Sequence, residues 1–336
     1  MRSPLLGLPL LAAVALGLTL GLAGGACTDG ADSPQRLVLA NVHAPGYPTA
    51  DALQFFADAV AQEPTLSGRV TVDLQLAGVL GNEKEMLEKL RFGALGMACS
   101  SVAPLAEFSP TVGVLTLPYL FRDPEHFWAV LEGEIGAELL TALEAESGFV
   151  GLAWYDAGAR SFYNRERPIR TLADLQGLKI RVQKAETMRS MVSALGAAPV
   201  ALGFKEVYTN LHTGALDGAE NNLPSYRSER HFEVAGYYSL DRHSMIPDLL
   251  MIRREAWQRL SPEEQDALRR AARASAATQR RLWQEYTEAA LVTVREAGAE
   301  VHEIEDPDAF RAAVEPLYQE FGSRYGDLVE RIRAVP

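Results

Sequence analysis

LQGLKIRVQKAETMRSMVSALGAAPVALGFKEVYTNLHTGALDGAENN, Leu175 to Asn222, is the stretch whose reading decides the fold of this chain. Leu178 to Val182 reads as a short strand ending in an arginine. A helix follows, then a second strand from Ala198 to Leu202, another helix, and a tight Asp217-Gly218 turn into Glu220-Asn221-Asn222. That order is a βαβα unit, and open α/β sheets place ligand contacts at strand ends such as the one Arg181 occupies. An arginine there is permanently charged, and its planar fork holds a carboxylate through two parallel hydrogen bonds. These residues point to an anion-binding device in a layered α/β fold.

The flanking sequence repeats the same grammar. Leu37 to Val42 is a compact apolar strand, and Pro45-Gly46-Tyr47-Pro48 turns into the amphipathic stretch Ala50 to Gln62. Val70, Val72, Leu74 and Leu76 alternate as on a half-buried strand. Asn82-Glu-Lys-Glu85 supplies an N-cap with an acid three positions on, opening a helix that Gly93 stops. The apolar run from Val114 predicts a strand leaving a core, and Asp123-Pro124 then turns the chain into a helix from Glu125 to Leu131. Gly148 to Tyr155 and Ser161 to Asn164 read as further strands, and Thr171 to Asp174 as a capped helical turn. Ser261-Pro262-Glu263-Glu264 combines N-cap, first-turn proline and acidic first turn, and begins a helical pattern reaching about Ala297. Such a helix is about 50 Å long, enough to run along two domains.

Composition narrows the function classes. The chain has 336 residues, 48% apolar, with a net charge of -12. That is ample for two domains. The acidic balance argues against nucleic acid, whose phosphates demand a basic surface. Any positive charge that holds an anion must therefore be local, in a cleft that excludes water. Residues 1–26 have the form of a secretion signal: Arg2, an apolar run from Leu5 to Leu22, and small residues up to Ala26. Cys27 follows directly, as in a bacterial lipobox, where the cysteine is lipidated; residues 27–35 then read as a tether. Cys99, the second of two cysteines, lies in an apolar run of strand length and reads as a buried, inert thiol. Two cysteines make neither a disulfide framework nor a cysteine zinc site.

Four motifs in sequence carry a resemblance: Leu117-Pro-Tyr-Leu-Phe-Arg-Asp-Pro-Glu-His126, Leu175-Gln-Gly-Leu-Lys-Ile-Arg-Val182, Phe204-Lys-Glu-Val-Tyr208 and Gly214-Ala-Leu-Asp-Gly-Ala-Glu-Asn221. Together they resemble the DctP-type solute-binding proteins of tripartite ATP-independent periplasmic (TRAP) transporters over nearly all of the chain after the tether. The resemblance implies a two-lobed α/β binding protein, each lobe a sheet flanked by helices, with hinge strands and a long C-terminal helix spanning both. The expected division is 36–157 with 246–285 in one lobe and 158–245 with 286–336 in the other. It implies a periplasmic receptor, acting as a monomer without a cofactor, that hands its solute to membrane subunits driven by an ion gradient.

Site residues follow position by position. The resemblance makes Arg181 the bidentate clamp on the ligand carboxylate and Arg160 a second donor to it. Phe204 becomes a packing wall, Asn221 a donor to ligand oxygens, and Glu83 a reader of ligand hydroxyls, with Glu85 close by. Lys184 stands where a polar side chain often touches the ligand in the family. The segment from Asn221 to Tyr226, followed by His231 and by Tyr237 to His243, looks most like the members that bind hexuronates and related sugar acids. A polyol acid needs one carboxylate clamp plus neutral donors and acceptors, which Asn222, His43 and Tyr226 can add. A C4-dicarboxylate or 2-oxo acid is the alternative, and a dicarboxylate needs a second cationic clamp that only Arg160 or Lys184 offers. Taken without the resemblance, Arg181 can equally pair with Glu220, Phe204 can be core, and Asn221 can bond its own backbone in a turn. The spacing of His231 and His243 matches no helical metal pair. The competing class is a periplasmic enzyme on a small organic acid, although Gly-x-Ser-x-Gly, His-Glu-x-x-His and phosphate-loop signatures are absent. Capture by lobe closure about hinges near Tyr155 to Ala157 and Asp241 to Met245 is the expected mechanism.

Overall fold

The computed structural model describes residues 34–336. The expected signal segment and Cys27 lie outside the described residues. In chain order the strands are β1 (Gln35–Ala40), β2 (Val70–Gln75), β3 (Met97–Ser101), β4 (Phe149–Tyr155), β5 (Ala159–Asn164), β6 (Lys179–Val182), β7 (Ala198–Ala201), β8 (Gly218–Asn221), β9 (Tyr237–Met245), β10 (Asp248–Arg253) and β11 (Glu300–Glu303). They form two sheets, β2-β1-β3-β10-β4 and β11-β9-β5-β8-β6-β7. In the first, β1 runs parallel to β2 and β3, while β10 enters antiparallel between β3 and β4. In the second, β6, β7 and β8 are parallel and β5 pairs antiparallel with both β8 and β9. Each sheet is thus a lobe, and the chain passes between lobes after Tyr155 and again after Met245.

The long helix predicted from its start signals runs from Pro262 to Glu296, 35 residues, or about 52 Å. Its cap is reciprocal: Ser261 Oγ accepts from the Glu264 N–H at 3.2 Å, and Glu264 Oε2 accepts from the Ser261 N–H at 2.8 Å. Ala267, Leu268, Ala271, Ala272 and Ala276 lie in the core beside the first sheet, whereas Ala290 and Val294 lie in that beside the second. One helix with small residues on its inner face therefore closes two cores. It also holds the first crossing, because the Gln279 amide accepts from the Asp156 N–H and donates to the Asp156 carbonyl, both at 2.8 Å. The final helices, Pro307–Tyr325 and Leu328–Ala334, reach both lobes: Arg324 pairs with Glu186 at 3.1 Å, and Arg122 donates to the carbonyls of Arg333 and Val335.

Most expected elements appear within a residue or two. The segment from Val114 departs: Thr111–Thr116 is a 3-10 helix, buried from Val112 onward. A continuous apolar run has no period to separate a buried helical turn from a buried strand. Thr116 Oγ1 donates to the Gly113 carbonyl at 2.6 Å, a local bond that a strand does not offer. Gly218 was expected in a turn but begins β8 instead. A Cβ there would stand 2.5 Å from the Tyr163 carbonyl oxygen, so glycine is needed for strand approach. The edge strand β11, after the long helix, carries too short an apolar pattern to be read in advance.

Candidate ligand-binding site

The carboxyl ends of the parallel strands in the two sheets face each other, and the site is built there. From the first lobe, Val42 and His43 follow β1, Ser101 ends β3, and Asp248 opens the antiparallel β10 at the same end. From the second, Arg160 is the second residue of β5, Gln183 follows β6, and Asn221 ends β8. Between them is a small cavity of about 20 Å³. The lobes are in contact around it. Tyr47 Oη and Ser225 Oγ share a hydrogen bond of 3.0 Å across the cleft, and Thr116 and Thr187 share one of 2.6 Å.

Register decides which way the charged groups point. Arg181 pairs with Ala219 in β8, so Asn221, two residues on, lies on the same face of the sheet. Glu220 points the other way, opposite Phe162 and one pleat from Arg160. Arg160 therefore takes Glu220: Nε donates to Oε2 at 2.5 Å and Nη2 to Oε1 at 2.9 Å, with a further 2.9 Å bond from Nη2 to the Glu220 carbonyl. Its Nη1 donates to Asn221 Oδ1 at 2.8 Å. These bonds use four of the five guanidinium N–H groups. His243 closes the network from behind, with Nε2 3.4 Å from Glu220 and Nδ1 2.9 Å from Asp241. Burial works against its charge, but the Asp241 and Glu220 carboxylates prevail and its pKa rises to about 9. Burial likewise opposes the Glu220 charge, and Arg160 with His243 overrides it, leaving the pKa at about 2.

Arg181 is 1% exposed and makes no ion pair among the described residues. Its Nε and Nη2 both donate to the Leu202 carbonyl, at 3.0 and 2.7 Å, while Nη1 is buried without a partner among the described residues. The bland reading that Arg181 pairs with Glu220 is corrected: Arg160 holds that carboxylate. Arg181 also stands one layer behind the cavity wall, on which Arg160, Gln183 and Phe204 lie.

The other expected residues divide. Glu83 is on the wall, its Oε1 accepting from the Ser101 N–H at 2.9 Å and Ser100 Oγ at 3.4 Å; burial raises its pKa against the pull of these bonds and both arginines. Glu85 is consumed by the helix cap, accepting from the Asn82 N–H at 2.9 Å, which leaves Glu83 as the acid facing the cavity. Phe204 is on the wall, edge-on to His43 at 5.2 Å. His43 stacks on Tyr47 at 3.8 Å, and burial followed by the nearby Lys205 charge holds its pKa at about 3, so it is neutral. Asn222 lines the cavity but spends its Oδ1 as the N-cap of the helix Leu223–Ser228, accepting from the Ser225 N–H at 2.7 Å.

Two placements are corrections. Lys184 is not on the wall; Gln183 is, with Oε1 buried and unpartnered, because alternation along the extended chain turns 181 and 183 together and 184 away. Tyr226 is not on the wall either. Its hydroxyl donates to the Ala235 carbonyl at 2.6 Å inside a cluster with Tyr163 and Tyr238, since its side of that short helix faces the core. His231 and His243 are each engaged by other partners, the first with Nδ1 2.8 Å from Tyr163 Oη. Missed in the sequence were Tyr47, Ser101, Gln183, Ser225 and Asp248. Period-two counting from Arg181 finds Gln183, and an acid heading the apolar run Leu249–Ile252 was the signal for Asp248. Nothing local marked Tyr47, which looked like part of a turn.

The family model described as bacterial extracellular solute-binding protein, family 7 (DctP), matches residues 39–324. The chain is a DctP-family solute-binding protein of the TRAP transporter class. A solute-binding protein of Chromohalobacter salexigens is 38% identical over 288 residues, 86% of this chain and 85% of its own. Among solved structures, the TRAP periplasmic solute-binding protein of Roseobacter denitrificans, with bound β-D-glucuronate, matches with 41% identity and a TM-score of 0.87 over 90% of this chain and 100% of that one. A Bradyrhizobium counterpart, in complex with α/β-D-galacturonate, matches with 42% identity and a TM-score of 0.85 over 89% and 99%. Members of the DctP family are receptors that bind solutes rather than enzymes that transform them, and the two-lobed architecture is theirs.

Proposed function

We propose that this DctP protein captures a hexuronate outside the cytoplasm by lobe closure and delivers it to TRAP membrane subunits. The observation that carries the reading is the polarity of the cavity. Cationic donors stand in the second lobe, whereas two carboxyl groups, Glu83 and Asp248, stand on the first-lobe wall. A ligand with one carboxylate and several hydroxyls matches that division: the carboxylate toward Arg160 and Asn221, with Arg181 one layer behind them, and the hydroxyls toward Glu83, Asp248 and His43. A C4-dicarboxylate fits worse, because its second carboxylate would meet two acids and Lys184 is off the wall. Similarity to the glucuronate- and galacturonate-bound neighbours supports the same class. Closing over the ligand removes water, which strengthens the carboxylate's interaction with the guanidinium groups.

The test is a thermal-shift and calorimetric panel of uronates, aldonates, dicarboxylates and 2-oxo acids, with the mixtures assayed for new products. Uronates are expected to stabilise the protein most and to be recovered unchanged. A larger shift with succinate or malate than with any uronate, or turnover of a uronate, would sink the proposal.

The Tyr47–Ser225 bond serves in this reading as a latch. Tyr47→Phe removes one buried hydrogen bond, worth about 1 kcal/mol, and roughly a fivefold faster ligand release is expected by stopped-flow. An unchanged off-rate would remove the latch role. Membrane attachment through Cys27 belongs to the same proposal: Cys27→Ser is expected to free the protein from the membrane fraction, and mass spectrometry finding an unlipidated Cys27 in the mature protein would rule it out.

A further inference from the structure

We propose that Asp248 reads a ligand hydroxyl as a neutral carboxylic acid, so that closing over a sugar acid takes up a proton from the solvent. The inference rests on the uronate reading above.

Its basis is placement. Asp248 opens β10, and the antiparallel register sets it opposite Ser101 at the end of β3 and opposite Tyr155 at the end of β4. The Ser101 N–H is the same group that fixes Glu83 Oε1 at 2.9 Å. Two carboxyl groups are thereby delivered to one corner of the cavity wall. Asp248 is 6% exposed, and its one side-chain hydrogen bond among the described residues is a long one, 3.4 Å from Thr49 Oγ1 to Oδ2. Oδ1 is left for whatever enters.

The charged and titratable groups around it do not supply a counter-charge. Glu83 faces it from the helix Glu83–Arg91 and Asp156 from the interlobe crossing, both acids. Arg160 faces it from β5 but is bidentate on Glu220. Tyr47, Tyr155 and Cys99 complete the surroundings, and burial keeps all three neutral. Burial first, then Glu83, raises the Asp248 pKa to about 8, against the pull of Arg160 and Thr49. An ionised carboxylate only accepts hydrogen bonds, whereas a protonated one also donates. A sugar hydroxyl or ring oxygen beside Asp248 therefore meets a donor that an ionised aspartate lacks. In an open, water-filled cleft the same group returns toward an ordinary aspartate pKa near 4 and is ionised at neutral pH. Closure therefore converts carboxylate to acid, the proton coming from buffer.

Linkage fixes the sign. The closed form binds the extra proton, so affinity falls as pH rises, by up to tenfold per unit between about pH 5 and 8, and levels off above. The experiment is calorimetric titration of D-glucuronate into the wild-type protein in phosphate and in Tris, from pH 5.5 to 8.5. Expected is uptake approaching one proton per ligand at pH 6 to 7, with Asp248→Asn still binding at pH 7 but showing neither uptake nor slope. Binding by the wild type with no buffer-dependent enthalpy overturns the proposal while leaving the receptor reading intact. A slope that survives in Asp248→Asn and vanishes in Glu83→Gln assigns the proton to Glu83 and overturns it too. No glucuronate binding at any pH overturns both readings.

Discussion

Arg181→Ala is expected to weaken uronate binding by about 30-fold to several thousand-fold, since truncating a buried charge-assisted clamp costs roughly 2 to 5 kcal/mol. The ligand-free fold is expected to survive. Among the described residues Arg181 makes no ion pair, donates only to the Leu202 carbonyl, and carries a buried Nη1 with no partner. Glu220 keeps Arg160 and His243. Burial already lowers the Arg181 pKa, a sign that its charge is costly where it stands. Removing it should leave the melting temperature of the free protein unchanged or raise it, while calorimetry loses the uronate signal. Arg181→Lys keeps a charge but not the planar fork and should fall between the two. A variant that binds uronates with wild-type affinity, or one that loses the fold, would remove Arg181 from the clamp role.

Glu220→Gln is expected to do the reverse, damaging the fold more than the binding chemistry. Glu220 is fully buried and compensates two cations, Arg160 and His243. Breaking a buried pair by neutralising one partner typically costs about 3 to 5 kcal/mol, so the urea midpoint should fall substantially. The pH dependence gives a second readout. The folded pKa of His243, about 9, lies above its ordinary value of 6.5, so its contribution to stability is complete below about pH 6.5 and is lost as pH rises through about 9. In Glu220→Gln that alkaline loss should shrink, because one of the two carboxylates holding the proton is gone. Equal stability of wild type and variant from pH 6 to 9 would contradict the network.

The local grammar of the fold was legible because each element carries its own signal. Ser261-Pro262-Glu263-Glu264 starts the long helix by filling its orphan N–H groups, and that chemistry is entirely within a few residues. The same holds for the Asn82-to-Glu85 cap, which fixes where Glu83 begins its helix. By contrast, the apolar run after Val114 had no period, and it became a 3-10 helix rather than a strand.

The candidate site was legible in its residue types and less so in their assignments. The chain alone placed an arginine and an asparagine at strand ends of an α/β lobe in an acidic protein, and with the family resemblance made an anion the expected ligand class. What it could not determine is which arginine meets which acid. That depends on the register of β5 against β8, which turns Glu220 toward Arg160 and away from the face shared by Arg181 and Asn221. Nor could it supply Tyr47, which reaches the cavity only because the first lobe's strand ends are brought against the second's, more than a hundred residues away in the chain. Periodicity and capping are short-range properties, set by neighbours within a turn or a pleat. Pairing of buried charges is set by register and lobe contact, and only the tertiary structure decides those.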